Sequence, residues 1–226
     1  MPKRAVTFFP GEYYHICNRG VDGRDIFIDQ FDADRMVTGM VLFNQKEPIG
    51  SIYQQSFKKG NQLSYPVTKL EDRLVDIICY CFNPNHFHLI LRERVENGVV
   101  RFMHDFAGGY ARYLNCRHTR TGVLYQGRFR ANHISTNEYL LWASAYVNLN
   151  DQVHQLGYPV TKLVRSSWGE YVGITEAAGR QQLCEKNVIL EQFDTVPKFV
   201  KFSKDAVVSI RARKDQMRVL DTLVDD

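Results

Sequence analysis

Residues 83–91 read NPNHFHLIL and place His86 and His88 two positions apart, between a turn sequence and an apolar run. Asn-Pro-Asn is typical of a turn, and the apolar run is typical of a buried strand. Successive side chains of a strand point to opposite faces, so both imidazoles are expected on one face. Neutral imidazole is a common metal ligand. The pair therefore predicts half of a metal site; the alternative is two satisfied polar side chains on a sheet surface.

A second motif lies further along the chain, where residues 142–150 read WASAYVNLN. Tyr146 and Asn150 are four positions apart in a segment of helical character, and residues four apart share one face of a helix. A tyrosine hydroxyl can act as a nucleophile, and a carboxamide oxygen can bind a hard cation. With the histidine pair, these groups predict metal-assisted phosphoryl transfer. Taken alone, Tyr146 would more often be a packed aromatic side chain.

Tyr110 and Tyr113 are rival nucleophiles because both follow the histidine motif on a predicted helix. Both continue an apolar stripe that begins at Val99. Neither is followed four residues later by an oxygen-bearing metal ligand, since those positions are Leu114 and Arg117. We therefore predict that both tyrosines belong to the core.

The rest of the pattern indicates a sheet with helices packed on it. Residues 74–82, LVDIICYCF, are apolar on nearly both faces, as expected of a central strand that forms a hairpin with the histidine strand. The other predicted elements are a strand at 13–18, a short element at 26–28, a helix at 32–44 capped by Asp32, a helix at 97–115, a strand at 129–134, and the tyrosine helix capped by Thr136.

At these motifs the chain resembles the single-tyrosine HUH transposases, and within them the REP-associated tyrosine transposases. The matching residues are His86-Phe87-His88, and Tyr146 with Asn150. The resemblance also includes residues 13–20 (YYHICNRG), 122–129 (GVLYQGRF) and 166–168 (SSW), so it covers most of residues 5–172. The chain departs from the family pattern at Asp151, where proline often follows the asparagine, and many relatives use glutamine as the third ligand.

The resemblance implies an α+β fold with a ferredoxin-like central antiparallel sheet, packed helices and a C-terminal helical extension. Residues 1–172 would form the catalytic domain and residues 173–226 the extension, with a helix around 175–192. Tyr146 would be the catalytic residue, and His86, His88 and Asn150 would bind Mg²⁺ or Mn²⁺.

The implied reaction is cleavage and rejoining of single-stranded DNA through a 5′-phosphotyrosine, with hairpin or REP-type DNA as substrate. Relatives often act as homodimers, some with the tyrosine helix supplied in trans, and the sequence leaves both arrangements open. Two other functions are compatible with the motifs. One is a metal-dependent nuclease in which water attacks; the other is a noncatalytic protein that binds hairpin DNA.

A basic and aromatic cluster precedes the tyrosine helix and predicts contact with DNA. Arginine can hold phosphates while an aromatic ring stacks on an unpaired base. The alternative is a solvated basic surface. The members are Arg112, Arg117, Arg120, Tyr125, Gln126, Arg128 and Arg130.

Composition sets broader bounds. The 226 residues are 44% hydrophobic, enough for a sizeable core, and the net charge of +4 is compatible with a polyanionic partner. We expect no membrane span and a cytosolic location, because no long uncharged apolar run is present. The five cysteines are odd in number and lack Cys-x-x-Cys spacing, so they are expected to remain reduced. Cys79 and Cys81 could alternatively join the histidines in a zinc site.

One nine-residue segment occurs twice. Residues 62–70 (QLSYPVTKL) and 155–163 (QLGYPVTKL) differ only at Ser64 versus Gly157. Two copies are too few for a repeat array, and Tyr-Pro beside a small residue suits an exposed turn. We interpret the copies as similar surface loops, and a sharper hypothesis is that a short mobile DNA repeat entered the gene twice.

Overall fold

The computed structural model of the chain describes residues 6–47, 69–174 and 182–224, with side chains described as far as residue 213. Within those ranges there are five strands and seven α-helices, in chain order. They are β1 (Tyr13–Arg19), α1 (Gln30–Leu42), β2 (Val75–Asn83), β3 (His86–Glu93), α2 (Gly98–Arg117), β4 (Arg130–Ile134), α3 (Asn137–Asn148), α4 (Asn150–Val153), β5 (Arg165–Ser166), α5 (Trp168–Tyr171), α6 (Asn187–Leu190) and α7 (Val196–Val224).

The five strands form one antiparallel sheet in the order β4-β1-β3-β2-β5. The first four strands, with α1 between β1 and β2 and α2 between β3 and β4, follow the β-α-β-β-α-β pattern of ferredoxin-like folds. The short strand β5 extends the sheet beyond β2. The predicted α+β, ferredoxin-like architecture is therefore confirmed.

The alternation of side chains along β3 separates two environments. Phe87 points to the face covered by α2, where its ring lies 6.0 Å from that of Phe106. His88 points to the opposite face, where its ring lies 5.2 Å from that of Tyr146 on α3. Buried apolar residues pack on both faces of the sheet, and the histidines lie on the face under the tyrosine helix.

The predicted hairpin is present and fixes the register of the histidine strand. Residues 84 and 85 connect β2 to β3, and Asn83 is paired with His86. The central strand β2 is buried along its whole length, as its apolar sequence predicted. The strands predicted at 13–18 and 129–134 and the helix predicted at 97–115 are confirmed within two residues as β1, β4 and α2.

Two predicted details are wrong. The helix predicted from Asp32 begins earlier, at Gln30, and its cap is Asp29, whose side chain accepts the Asp32 N–H. Asp32 is instead fully buried and accepts hydrogen bonds from the Ile28 N–H and from Arg117. The element predicted at 26–28 has no regular secondary structure, although Ile26 is buried in the core.

The C-terminal region also differs from the prediction. Residues 175–181 of the helix predicted around 175–192 lie outside the described part of the chain, and residues 182–195 contain only the four-residue helix α6. The long helix is α7, which packs against α3 and α4 through Val207, Leu149 and Val153. Among the described residues, no helix combines the length and apolar character needed to cross a bilayer.

The two copies of the repeated segment can be compared only in part. Most of the first copy, residues 62–68, lies outside the described residues. The second copy, residues 155–163, follows α4 and ends in a short 3-10 turn at Val160–Lys162. Its Tyr158 side chain is 76% exposed. The interpretation of the second copy as a surface loop is confirmed.

Candidate active site

Three neighbouring strands place polar side chains on the same face of the sheet. The register pairs Cys17 of β1 with His88, and Asn83 of β2 with His86. Because paired residues in an antiparallel sheet point to the same side, Asn83, His86 and His88 share a face. His15 of β1 lies two residues before Cys17 and therefore points to this face as well. These side chains form the floor of the candidate site.

The segment of α3 and α4 covers this floor, but not as one continuous helix. Thr136 caps α3 as predicted, accepting the Tyr139 N–H at 3.1 Å. The helix ends at Asn148, and Leu149 has the non-helical angles φ −116° and ψ 29°. Asn150 then begins α4. The expectation of one continuous helix is therefore wrong, but the two side chains still meet, because Asn150 hydrogen-bonds Tyr146. The buried Asn150 side chain also reaches His86.

The imidazole of His86 is held between three amide side chains. Its Nδ1 lies 2.6 Å from Asn85 Oδ1, an acceptor, and its Nε2 lies 3.0 Å from Asn83 Nδ2, a donor, so the tautomer with the proton on Nδ1 and a lone pair on Nε2 satisfies both contacts. That Nε2 lies 3.0 Å from Asn150 Oδ1, which is also an acceptor. Asn83 Nδ2 completes the group at 3.0 Å from His86 Nε2 and 2.7 Å from Asn150 Oδ1. His86 Nε2 and Asn150 Oδ1, which both carry lone pairs, thus lie beside one donor, Asn83 Nδ2.

His88 is oriented by a residue that the sequence did not single out. Its Nδ1 lies 2.9 Å from His15 Nε2, and the two rings stack with centroids 5.1 Å apart. Burial lowers the pKa of His15 to about 4, so His15 is neutral near pH 7 and its Nε2 can accept a hydrogen bond from the His88 Nδ1–H. This tautomer leaves the lone pair of His88 on Nε2. A histidine ligand is commonly oriented through its other nitrogen in this way.

Tyr146 lies against both stacked histidines. Its ring centroid is 5.2 Å from that of His88 and 5.9 Å from that of His15, with edge-to-face geometry in both cases. Burial raises the pKa of Tyr146, while the neighbouring Asn150 side chain acts in the opposite direction. The phenol is therefore protonated at neutral pH in the protein alone. Within this chain, Tyr146 and the two histidines lie in one site.

The donor set of His86, His88 and Asn150 fits a divalent cation. His86 Nε2 and Asn150 Oδ1 lie 3.0 Å apart, so both could bind one divalent cation. Imidazole nitrogen and amide oxygen are both acceptable ligands for Mn²⁺, and oxygen is preferred by Mg²⁺. Within the described residues, no cluster of three or more His, Cys, Asp or Glu side chains is arranged to hold a metal. The third donor of the candidate site is the Asn150 side chain, which is not one of those four residue types.

A cavity of about 640 Å³ opens in front of His86, His88 and Tyr146. Three members of the predicted basic cluster line it: Gln126, Arg128 and Arg130. The loop that carries them is tied to the end of β1, since the Gln126 N–H donates to Arg19 O at 2.9 Å and the Asn18 side chain donates to Gly127 O at 3.1 Å. The cavity is also lined by Arg19 and His154, which the sequence reasoning missed.

The other members of the cluster lie outside this cavity. Arg117 bonds Asp29 and Asp32 at the start of α1. The Tyr125 ring packs edge-to-face on Phe87 at 5.8 Å, on the apolar side of the sheet. Arg112 and Arg120 belong to the end of α2 and the turn after it. Proximity in sequence therefore grouped residues that the fold separates.

The rival tyrosines occupy the opposite side of the sheet. Tyr110 is fully buried and donates its hydroxyl to Ile26 O at 2.8 Å. Tyr113 is partly buried and donates to Asp32. Cys79 and Cys81 are fully buried in the core cluster. The prediction that these side chains pack in the core is confirmed for Tyr110 and both cysteines, with Tyr113 at the core margin.

Comparisons with known proteins agree with this fold. Residues 58–150 match the model of a family described as "Transposase IS200 like". Among solved structures, the chain is similar to that of a REP-associated tyrosine transposase bound to a REP hairpin, with a TM-score of 0.52 and 13% identity, covering 81% of this chain and 90% of the other. At that identity the likeness shows the fold alone. No curated protein sequence gives a significant match.

Proposed function

Because residues 58–150 match the model of the IS200-like transposases, we propose that this protein cleaves and rejoins single-stranded DNA with Tyr146 as the nucleophile. The observation that carries the proposal is the position of Tyr146 beside His88, with Asn150 and His86 in hydrogen-bonding distance of each other. A nucleophilic hydroxyl and a cation-binding donor set in one cavity are the parts that phosphoryl transfer requires.

The reaction would exchange one phosphodiester for another. The Tyr146 oxygen attacks phosphorus in line, the bond to the 3′-oxygen breaks, and a 5′-phosphotyrosine forms. The phenol loses its proton, and the departing 3′-oxygen takes one up, so the free strand ends in a 3′-hydroxyl. Attack by a second 3′-hydroxyl reverses these steps and rejoins strands without ATP, because the phosphotyrosine retains the phosphodiester's energy.

Each site residue has a defined part in this scheme. His86, His88 and Asn150 would hold Mg²⁺ or Mn²⁺, with His15 fixing the ring of His88 through its 2.9 Å contact. The bound ion would polarise the scissile phosphate and favour the Tyr146 phenolate. Asn150 has a second role, since its side chain already opposes the effect of burial on the pKa of Tyr146.

The basic side of the cavity suits a DNA strand. Arg19, Arg128 and Arg130 line the cavity beside the histidines and can neutralise phosphates on either side of the scissile bond. Single-stranded DNA can reach a site on a sheet surface without opening a duplex. The fold similarity to a REP-associated transposase bound to a REP hairpin makes hairpin DNA the substrate of choice for testing.

The test is to mix the protein with labelled hairpin DNA carrying a single-stranded flank, in the presence of Mn²⁺, and to map any denaturant-resistant adduct by peptide sequencing. We expect an adduct on Tyr146 that Tyr146→Phe lowers by about 10⁴-fold or more, because the nucleophile is lost. Tyr110→Phe is the matched control. It removes a buried hydroxyl on the other face of the sheet and should leave adduct formation by the folded protein unchanged.

Other outcomes would assign a different function. Cleavage without an adduct, unaffected by Tyr146→Phe, would indicate attack by water. Tight hairpin binding with neither cleavage nor adduct, across a panel of flanking sequences, would indicate a noncatalytic DNA-binding protein. An adduct mapped to Tyr110 or Tyr113 would contradict the assignment of the nucleophile.

A further inference from the structure

Asn83 contributes its side chain to the candidate site, although its sequence context is that of a turn. It is the last residue of β2, is paired with His86, and is fully buried. The Cys81 thiol lies 3.7 Å from Asn83 Oδ1 and can donate a hydrogen bond to it. The amide nitrogen, Nδ2, therefore points away from Cys81. That nitrogen lies 2.7 Å from Asn150 Oδ1 and 3.0 Å from His86 Nε2. One donor thus contacts two of the three proposed cation ligands.

The two contacts respond differently to a bound cation. An amide oxygen has two lone pairs, so Asn150 Oδ1 can keep the Asn83 hydrogen bond while it binds a cation. The Nε2 of a neutral imidazole has a single lone pair, so His86 must give up Asn83 when it becomes a ligand. The bond to Asn150 would therefore persist in both states, and the bond to His86 would exist only in the cation-free state.

We infer that Asn83 is a positioning residue of the cation site. Its amide aims Asn150 Oδ1 at the cation and holds the His86 ring in place until the cation arrives. Partners that orient metal ligands through hydrogen bonds commonly change metal affinity by 10–100-fold when they are removed. The inference rests on the proposed function, because it requires that His86 and Asn150 bind a cation.

Two substitutions test the role in opposite directions. Asn83→Ala releases Asn150, and we expect Mn²⁺ binding to weaken by about 10-fold, measured from the electron paramagnetic resonance signal of free Mn²⁺. Asn83→Asp replaces the donor with a carboxylate oxygen facing the same two acceptor atoms. The carboxylate repels them without a cation and attracts the cation itself, so Mn²⁺ should bind more tightly than to wild type and raise the melting temperature more than in wild type.

Asn44→Ala is the matched control. Asn44 is also a buried asparagine, and its side chain bonds Leu74 and Val75 at the opposite end of β2. This variant should lower the melting temperature but leave the Mn²⁺ affinity unchanged. If Asn83 had a purely structural role, Asn83→Ala and Asn83→Asp would likewise lower the melting temperature and leave the Mn²⁺ affinity unchanged.

The outcomes separate this inference from the proposed function. If wild type binds Mn²⁺ and both Asn83 variants bind it equally well, the positioning role is wrong and the cation site stands. The same conclusion applies if Asn83→Asp weakens binding. If wild type binds no Mn²⁺, both the cation site and the positioning role are overturned.

Discussion

The two faces of the central sheet are built from the same strands but have different chemistry. On one face, Phe87 packs against Phe106 of α2, which stacks on Phe102, and all three are fully buried. On the other face, His88 stacks with His15 beside Tyr146. Adjacent residues of β3 therefore belong to a dry core and to a polar cavity. Because a strand alternates its side chains, one short segment can hold the fold together and carry the chemistry.

Each face is covered by a helix that carries tyrosine, and the two helices use it differently. The Tyr110 hydroxyl on α2 is fully buried and donates to a backbone carbonyl. The Tyr146 hydroxyl on α3 lines a cavity next to imidazoles. Burial raises the pKa of both phenols. What distinguishes the proposed nucleophile from Tyr110 is its neighbours, because Tyr146 lies beside the side chains proposed to hold a cation.

The largest effect on stability is expected from the apolar face. Phe87→Ala removes a fully buried ring that contacts Phe82, Phe106 and Tyr125. The resulting cavity should lower the free energy of unfolding by about 3–5 kcal/mol. The measurement is urea denaturation without added metal, followed by circular dichroism.

His86→Ala, one residue earlier on the same strand, is the matched comparison. It removes a partly buried side chain from the polar face, and we expect a loss of about 1 kcal/mol together with the loss of Mn²⁺ binding and adduct formation. Equal destabilisation by both variants would show that the polar face also carries the fold, and the contrast between the two faces would fail.

The strands that form these faces could be predicted from the sequence, but the side-chain contacts between distant segments could not. The pattern of residues 83–91 correctly placed two imidazoles on one face, since that follows from local geometry. It did not find His15, whose contact with His88 joins positions 73 residues apart. That contact depends on the pairing of β1 with β3, which the local sequence does not encode. Asn83 was recognised only as part of a turn, because its partner Asn150 is also distant in sequence, at 67 residues.

The next prediction tests that nonlocal contact. His15→Ala leaves His88 Nδ1 without its partner, and we expect Mn²⁺ affinity to fall by about 10–100-fold. His133→Ala is the control, since His133 lies on β4, pairs with Glu12 and points to the other face of the sheet. Isothermal titration with Mn²⁺ would measure both variants. If His15→Ala binds Mn²⁺ like wild type, His15 does not position His88.

The predicted basic cluster illustrates a second limit of sequence reasoning. Its seven members lie within a short stretch, but that stretch includes the end of α2, a turn and the start of β4. The fold turns Arg128 and Arg130 toward the cavity, whereas Arg117 is held by two carboxylates of α1. Charge and spacing alone do not report which side of a sheet each arginine will reach.

The smallest expected effect distinguishes these two groups of arginines. Arg130→Gln removes one charge from the cavity, and Arg112→Gln removes one from an exposed position of α2 outside it. For single-stranded DNA, each lost phosphate contact should reduce the slope of log affinity against log salt by about 0.7. We expect that change, with a several-fold loss of affinity at low salt, for Arg130→Gln only. Fluorescence anisotropy with a labelled hairpin across a salt series measures it. An equal change in Arg112→Gln would mean that the DNA path extends over the α2 side, and that the polar face is not the whole DNA-binding surface.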